Sequence, residues 1–155
     1  MEQPDSLINV AEFHQTFQHP ILPEPTIPDS KRCELRVSLL AEELDELRAA
    51  IQDNDIVEIA DALCDLQYVL SGAVLEFGLG EKFKELFDEV QRSNMSKACE
   101  SEEVAEKTVK AYNEKGQPSY YKEVNGKWLV YRTDDNKTLK SVEYSPADLN
   151  SILKK

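Results

Sequence analysis

The stretch LRVSLLAEELDELRAAIQDNDIVEIADALCDLQYVLSGAVLEFG, Leu35 to Gly78, decides the fold. It places Glu42, Glu43 and Glu46 near the end of one helical pattern and Glu58, Asp61 and Asp65 early in the next. Only Gln52, Asp53, Asn54 and Asp55 lie between the two patterns. A connection that short makes successive helices run antiparallel. With the turn centred between Asp53 and Asn54, Glu46 comes opposite Asp61 and Glu42 opposite Asp65. The spacing therefore predicts that carboxylates of two helices meet.

At about 100° per residue, Glu58, Asp61 and Asp65 share an arc of roughly 60°, and Glu43 and Glu46 are neighbours on one face. Leu35 and Leu39 lie on the same arc of the first helix, so the acids continue an apolar stripe instead of opposing it. From Ala49 to Glu81 there is no Lys, Arg or His to neutralise them. Clustered carboxylates at low dielectric repel, and some protonate unless a cation joins them. The candidate ligands are all oxygen donors, which suits Mg²⁺, with Mn²⁺ as a substitute, and not zinc. A lone pair of this kind would be a solvated helix face; two pairs in matching register point to a hard-cation site. Asp45, Asp53 and Asp55 are read as surface charge, turn and N-cap.

These residues resemble a family. Glu42-Glu43-x-x-Glu46 followed by Glu58-x-x-Asp61 is similar to the EExxE…ExxD signature of the all-α nucleoside triphosphate pyrophosphohydrolases, which include MazG-like enzymes, dimeric dUTPases and phosphoribosyl-ATP pyrophosphohydrolases. The contexts Leu39-Leu40-Ala41-Glu42-Glu43-Leu44 and Ile59-Ala60-Asp61-Ala62-Leu63 fit as well, and Ser93-Asn94-Met95-Ser96-Lys97 resembles the SNMSK segment of one MazG-like branch. The resemblance covers roughly residues 10 to 100. One departure is the interval from Glu46 to Glu58, which is at the short end for the family.

The chain has 155 residues and a net charge of −12. That length suits one domain with a real core. The charge argues against a duplex nucleic-acid partner, which needs a basic stripe to meet phosphates, but not against a triphosphate, because bound divalent ions invert the local field. No apolar run has transmembrane length, and Met1 to Asp5 lacks the regions of a signal peptide, so no membrane partner is expected. Cys33, Cys64 and Cys99 form no CxxC pair, which reads as reduced thiols in a cytoplasmic protein, with Cys64 a packing residue.

In chain order, Val10, Phe13 and Phe17 mark a short amphipathic helix. His14 and His19 belong to no ExxH arrangement, which counts against a di-iron bundle, and neither is assigned to the site. Pro20, Pro23, Pro25 and Pro28 make a stiff connector. A helix follows from about Lys31 to Gln52, capped by Asp29 or Ser30, with a second apolar stripe of Val37, Leu40, Leu44, Leu47 and Ile51. The helix from about Ile56 to Phe77 is apolar nearly all round and must be covered on every side; three other helices barely suffice, which predicts a homodimer or homotetramer. Tyr68, two turns beyond Asp61, is a pocket-lining or a core residue.

A fourth helix is expected from about Glu81 to Lys97, with Arg92 and Lys97 close together at its end, and a fifth from Ser101 to about Glu114. Tyr120 to Tyr131 reads as a β-hairpin around a type I′ Asn125-Gly126 turn, with a third strand near Thr138 to Tyr144 and a short helix after Pro146. Trp128, Tyr120, Tyr121 and Tyr131 are cross-strand pairs or, alternatively, base-stacking groups.

The expected fold is mainly α, an antiparallel four-helix-bundle-type core over residues 1–116 with a C-terminal β-hairpin extension over 117–155 packed on it as a single domain. The resemblance implies a Mg²⁺-dependent enzyme that cleaves a nucleoside triphosphate to monophosphate and pyrophosphate. It implies metal ligands among Glu43, Glu46, Glu58, Asp61 and Asp65, a general base at Glu42 or Glu43, and substrate contacts from Asn94, Lys97, Arg92 and Tyr68. The alternatives are a phosphoribosyl-ATP pyrophosphohydrolase and a helical interaction module without catalysis.

Overall fold

The computed structural model describes Glu2 and residues 4–155; the reading of Met1 to Asp5 therefore falls partly on Met1 and Gln3, outside the described residues. The chain is mainly helical. Two compact units, Met1–Phe83 and Lys84–Lys155, divide it, so the expected catalytic segment 1–116 contributes to both.

In the first unit, α1 (Ser6–Thr16), α2 (Ser30–Gln52) and α3 (Ile56–Glu76) pack together. Local chemistry sets their limits. The Asp29 carboxylate accepts from the Arg32 N–H at 3.1 Å and starts α2. The Asp55 carboxylate accepts from Val57 N and Glu58 N and starts α3. Between them Asn54 takes φ 53°, a left-handed position that Asn tolerates, and the chain reverses.

Antiparallel register follows from the far end of the pair. Near the start of α2, Arg32 donates from Nε to Glu76 Oε2 at 2.9 Å, and Glu76 is the last residue of α3. Arg36, one turn further on, also donates to Glu76. The proline connector is fastened to the end of α3 by Leu22 N–H to Leu75 O (3.1 Å) and Thr26 N–H to Phe77 O (3.0 Å). Gly78, at φ 65°, permits this, since a Cβ there would come within 1.8 Å of Glu24 O.

Within the single chain the burial of α3 is uneven. Ser71 to Glu76 are buried, whereas Val57 is 70% and Leu63 52% exposed. Covering on every side is thus not achieved by the chain itself. Val37, Leu44 and Ile51 of the second α2 stripe are exposed too, and so is Cys64. No single helix among the described residues is long and apolar enough to cross a membrane.

The second unit follows a 3₁₀ turn at Gly80–Lys82, which replaces the expected first turn of the fourth helix. It holds α4 (Phe83–Met95) from Lys84 onward, α5 (Glu102–Glu114), β1 (Ser119–Val124), β2 (Lys127–Arg132) and α6 (Leu149–Leu153). The Ser101 hydroxyl caps α5 through Val104 N. The hairpin pairs Tyr120 with Tyr131 and Glu123 with Trp128, and both turn residues, Asn125 and Gly126, have positive φ as a type I′ turn requires. Its core is Cys99, Ala105, Val130 and Leu139.

The aromatic residues pair with one another: Tyr120 stacks on Tyr131 at 5.7 Å, and Tyr121 meets Trp128 edge-on at 5.6 Å. The expected third strand does not form. Only Thr138 bridges to Tyr131, because side chains capture the next amides: Lys140 N donates to the Tyr112 hydroxyl and Val142 N to Thr108 Oγ1. A chain held by side-chain acceptors cannot continue a ladder.

Candidate active site

Helix α2 presents Glu42, Glu43 and Glu46, and α3 presents Glu58, Asp61 and Asp65. Glu46, Glu58 and Asp61 line one cleft of about 380 Å³ beside the turn, together with Asp53, Asp55 and three alanines. No basic residue lines it. Glu42, Glu46, Glu58 and Asp61 are exposed, and Glu43 and Asp65 are half-buried further from the turn.

None of the ion pairs among the described residues involves these six carboxylates. The consequence is clearest at Glu43. Burial, then the charges of Glu46, Asp65, Glu42 and Asp61, push its carboxyl above the ordinary glutamate value. By donor type the cluster fits a hard divalent ion. It does not close around one: among the described residues no three His, Cys, Asp or Glu side chains are gathered tightly enough to hold a metal.

One helical turn from Glu43 is Leu39, and one turn from Asp65 are Tyr68 and Val69. These residues, with Leu35, Phe13 and His19, wall an almost wholly apolar cavity of about 230 Å³. Phe13 stands edge-on to Tyr68 at 5.6 Å and lies nearly parallel to His19 at 5.8 Å. Tyr68 therefore lines a pocket and belongs to an aromatic cluster at once.

His14, Arg32 and Arg36 complete this wall. Glu76 is fully buried beside them. Burial alone would raise its carboxyl pKa, but the hydrogen bonds and charges of Arg32 and Arg36 outweigh that and hold it below the usual range. His14 Nδ1 lies 2.9 Å from Pro20 O, so the ring donates there. Burial lowers its pKa. Arg36 Nε is buried and has no acceptor. Gly72 makes room for the group, since a Cβ would approach Arg36 Nη1 to 2.7 Å. The sequence reading did not select Arg32, Arg36, Glu76, His14 or Phe13. The signal was present for Arg32 and Glu76, which are nearly equidistant from the turn, as Glu46 and Asp61 are.

In the second unit, Lys97 Nζ donates to Asn94 Oδ1 at 2.8 Å. Arg92 donates twice to Glu89, once to Ser145 Oγ and once to Pro146 O. That commits four of its five N–H groups.

Comparison with known proteins agrees with this geometry. The profile described as phosphoribosyl-ATP pyrophosphohydrolase matches residues 10–94, a span that includes all six acids. The chain is also 30% identical over 92 residues to uncharacterized protein L479 of Acanthamoeba polyphaga mimivirus, a match covering 57% of this chain and 37% of that protein. The chain thus spans well under half the length of that relative. A match over more than half the chain, carrying both acidic motifs on one antiparallel hairpin, fixes the affiliation: this chain belongs to the phosphoribosyl-ATP pyrophosphohydrolase family, within the all-α nucleoside triphosphate pyrophosphohydrolase superfamily.

Proposed function

We propose that the chain is a Mg²⁺-dependent nucleoside triphosphate pyrophosphohydrolase that cleaves between the α and β phosphates, releasing nucleoside monophosphate and pyrophosphate. The observation that carries this is an adjacency along one hairpin. A cleft whose charged groups are all carboxylates lies beside the turn, and an apolar, aromatic-walled cavity begins one helical turn, about 5–6 Å, beyond Glu43 and Asp65. A nucleotide has the same polarity along its length, with a phosphate tail needing metal and a flat base needing apolar walls.

Glu43, Glu46, Glu58 and Asp61 would hold the metal, with Asp65 and Glu42 as further ligands or support. When bound, the ion neutralises phosphate oxygens and acidifies a water. Of Glu42 and Glu43, whichever carboxylate the metal left free would be the base that takes a proton from that water. Phe13 and Tyr68 flank the base, and the orphan Nε–H of Arg36 is a donor for one of its acceptors. By the family resemblance Asn94 and Lys97, with Arg92, contact phosphate or nucleoside. Exposed Val37, Ile51, Val57 and Leu63 support assembly as a homodimer or homotetramer, and free Cys33, Cys64 and Cys99 support a cytoplasmic setting.

A second reading, phosphoribosyl-ATP as substrate, is favoured by the description of the matching family. The deciding experiment incubates the protein with Mg²⁺ and either phosphoribosyl-ATP or a panel of canonical and modified nucleoside triphosphates, and measures pyrophosphate. Release from a triphosphate of the panel, abolished in Glu46→Gln and Asp61→Asn, is the expected result. Release from phosphoribosyl-ATP alone selects the second reading, and release that survives both substitutions refutes the site. Release from neither favours a non-catalytic interaction module.

A further inference from the structure

The Ser93–Lys97 segment divides its residues between two tasks. Ser93 is buried, and its hydroxyl is 2.8 Å from the Tyr144 hydroxyl. Ser96 Oγ donates to Ser93 O at 2.7 Å and accepts from Ser145 N at 3.0 Å. Both serines therefore face the C-terminal tail. Asn94 and Lys97 bond to each other, and the Lys97 charge also acts on the Tyr144 phenol.

The tail's grip extends along α4. Arg92 donates to Ser145 Oγ at 3.0 Å and Pro146 O at 2.9 Å, and Glu89 accepts from Asp148 N at 2.8 Å. On its other side the tail is anchored to α5, where Thr108 Oγ1 accepts from Val142 N at 3.1 Å. The ring of Tyr144 carries Lys140 Nζ at 4.2 Å from its centroid. Five consecutive residues, Tyr144 to Asp148, thus supply three direct latches to the end of α4, at Glu89, Arg92 and Ser96, and a fourth through the phenol. The last turn of α4 carries Asn94 and the turn just beyond Met95 carries Lys97, on a backbone that the tail has fixed.

We propose that Tyr144 and Ser145 are positioning residues: the C-terminal tail straps Ser93 and Ser96 in place so that Asn94 and Lys97 are held in a set geometry for the phosphates of the substrate. Arg92 also latches the strap, through Ser145 Oγ and Pro146 O. The proposal rests on reading Asn94 and Lys97 as phosphate-binding groups. It gives the C-terminal segment after the hairpin a role in substrate affinity beyond packing. A preset pair of donors binds phosphate without first being ordered, so loosening the strap weakens binding while leaving the chemistry of the acids alone.

The probe is Mg²⁺ with inorganic tripolyphosphate, followed by titration calorimetry on the full chain. Lys97→Ala tests the underlying reading, Tyr144→Phe deletes one hydroxyl of the strap and keeps its ring, and Thr108→Val removes the tail's anchor on α5 while leaving its latches to Glu89, Arg92, Ser93 and Ser96 in place. Tyr144→Phe is expected to raise Kd about two- to tenfold, the worth of one hydrogen bond. In a Lys97→Ala background it has no further effect, because it acts through that lysine. Thr108→Val lowers Tm without changing Kd. An unchanged Kd in Tyr144→Phe while Lys97→Ala weakens binding overturns the strap and spares the phosphate reading. Additive effects in the double variant, or an equal Kd change in Thr108→Val, reduce the tail to a structural element. A wild-type chain that binds no tripolyphosphate, or binds it equally well as Lys97→Ala, overturns both.

Discussion

Arg32 donates to Glu76 at 2.9 Å across the open end of the α2–α3 hairpin, although 44 residues separate them in sequence. The same register that brings these two together at the open end brings Glu46 and Asp61 into one cleft at the turn. A pair of long helices locked at one end by an ion triad around the buried Glu76 presents a row of acids at the other with little freedom to slip.

Removing the partner of that triad leaves charge buried. Glu76→Gln strands the Arg36 guanidinium, which is only 7% exposed, and the expected loss is about 3–5 kcal/mol in urea unfolding. Glu58→Gln, at the exposed end of the same hairpin, costs less than about 0.5 kcal/mol.

Acid should unfold the first unit in two stages. The pKa of His14 is lowered on folding, so the unfolded state binds more protons and stability falls as pH drops below about 6.5. The pKa of Glu76 is also lowered, so its contribution is present above about 4.5 and is lost as pH falls through its folded value. His14→Gln would remove the first stage only, which denaturant midpoints measured between pH 4 and 8 would reveal.

The acid row is expected to cost stability when no ion is present. Because burial, and then the charges of Glu46, Asp65, Glu42 and Asp61, raise the Glu43 pKa, Glu43→Gln removes a disfavoured charge at neutral pH and raises Tm by a few degrees, roughly 0.5–1 kcal/mol. The same substitution should weaken Mg²⁺ uptake by calorimetry. A lower Tm without metal would show that Glu43 is not repelled by its neighbours.

Filling the aromatic cavity separates the base from the metal. Leu39→Trp adds bulk to a space of about 230 Å³. KM for a nucleoside triphosphate should rise at least tenfold, about 1.4 kcal/mol, with Mg²⁺ affinity unchanged. Equal loss of both would mean that the hairpin had been distorted.

Two glycines with positive φ should respond differently to alanine. At Gly116 (φ 73°) a Cβ meets nothing within 4 Å, so only the backbone penalty of about 1 kcal/mol applies. At Gly78 (φ 65°) the Cβ would collide with Glu24 O. Gly78→Ala therefore costs clearly more than about 1 kcal/mol and detaches the proline connector from α3. Comparing chemical denaturation of the two variants tests this.

The sequence by itself determined the hairpin, its register and the six acids on it, because helical period, a four-residue connection and capping side chains such as Asp29 and Asp55 are local properties. It also determined the β-hairpin through Asn125-Gly126. Only the tertiary structure decided that Glu76 is buried between Arg32 and Arg36, that Phe13 and His19 close a cavity against Tyr68, and that Thr108 and Tyr112 take the amides a third strand would have used. Each depends on side chains from distant segments meeting in space, and no spacing within one segment encodes which donor a buried acceptor will find.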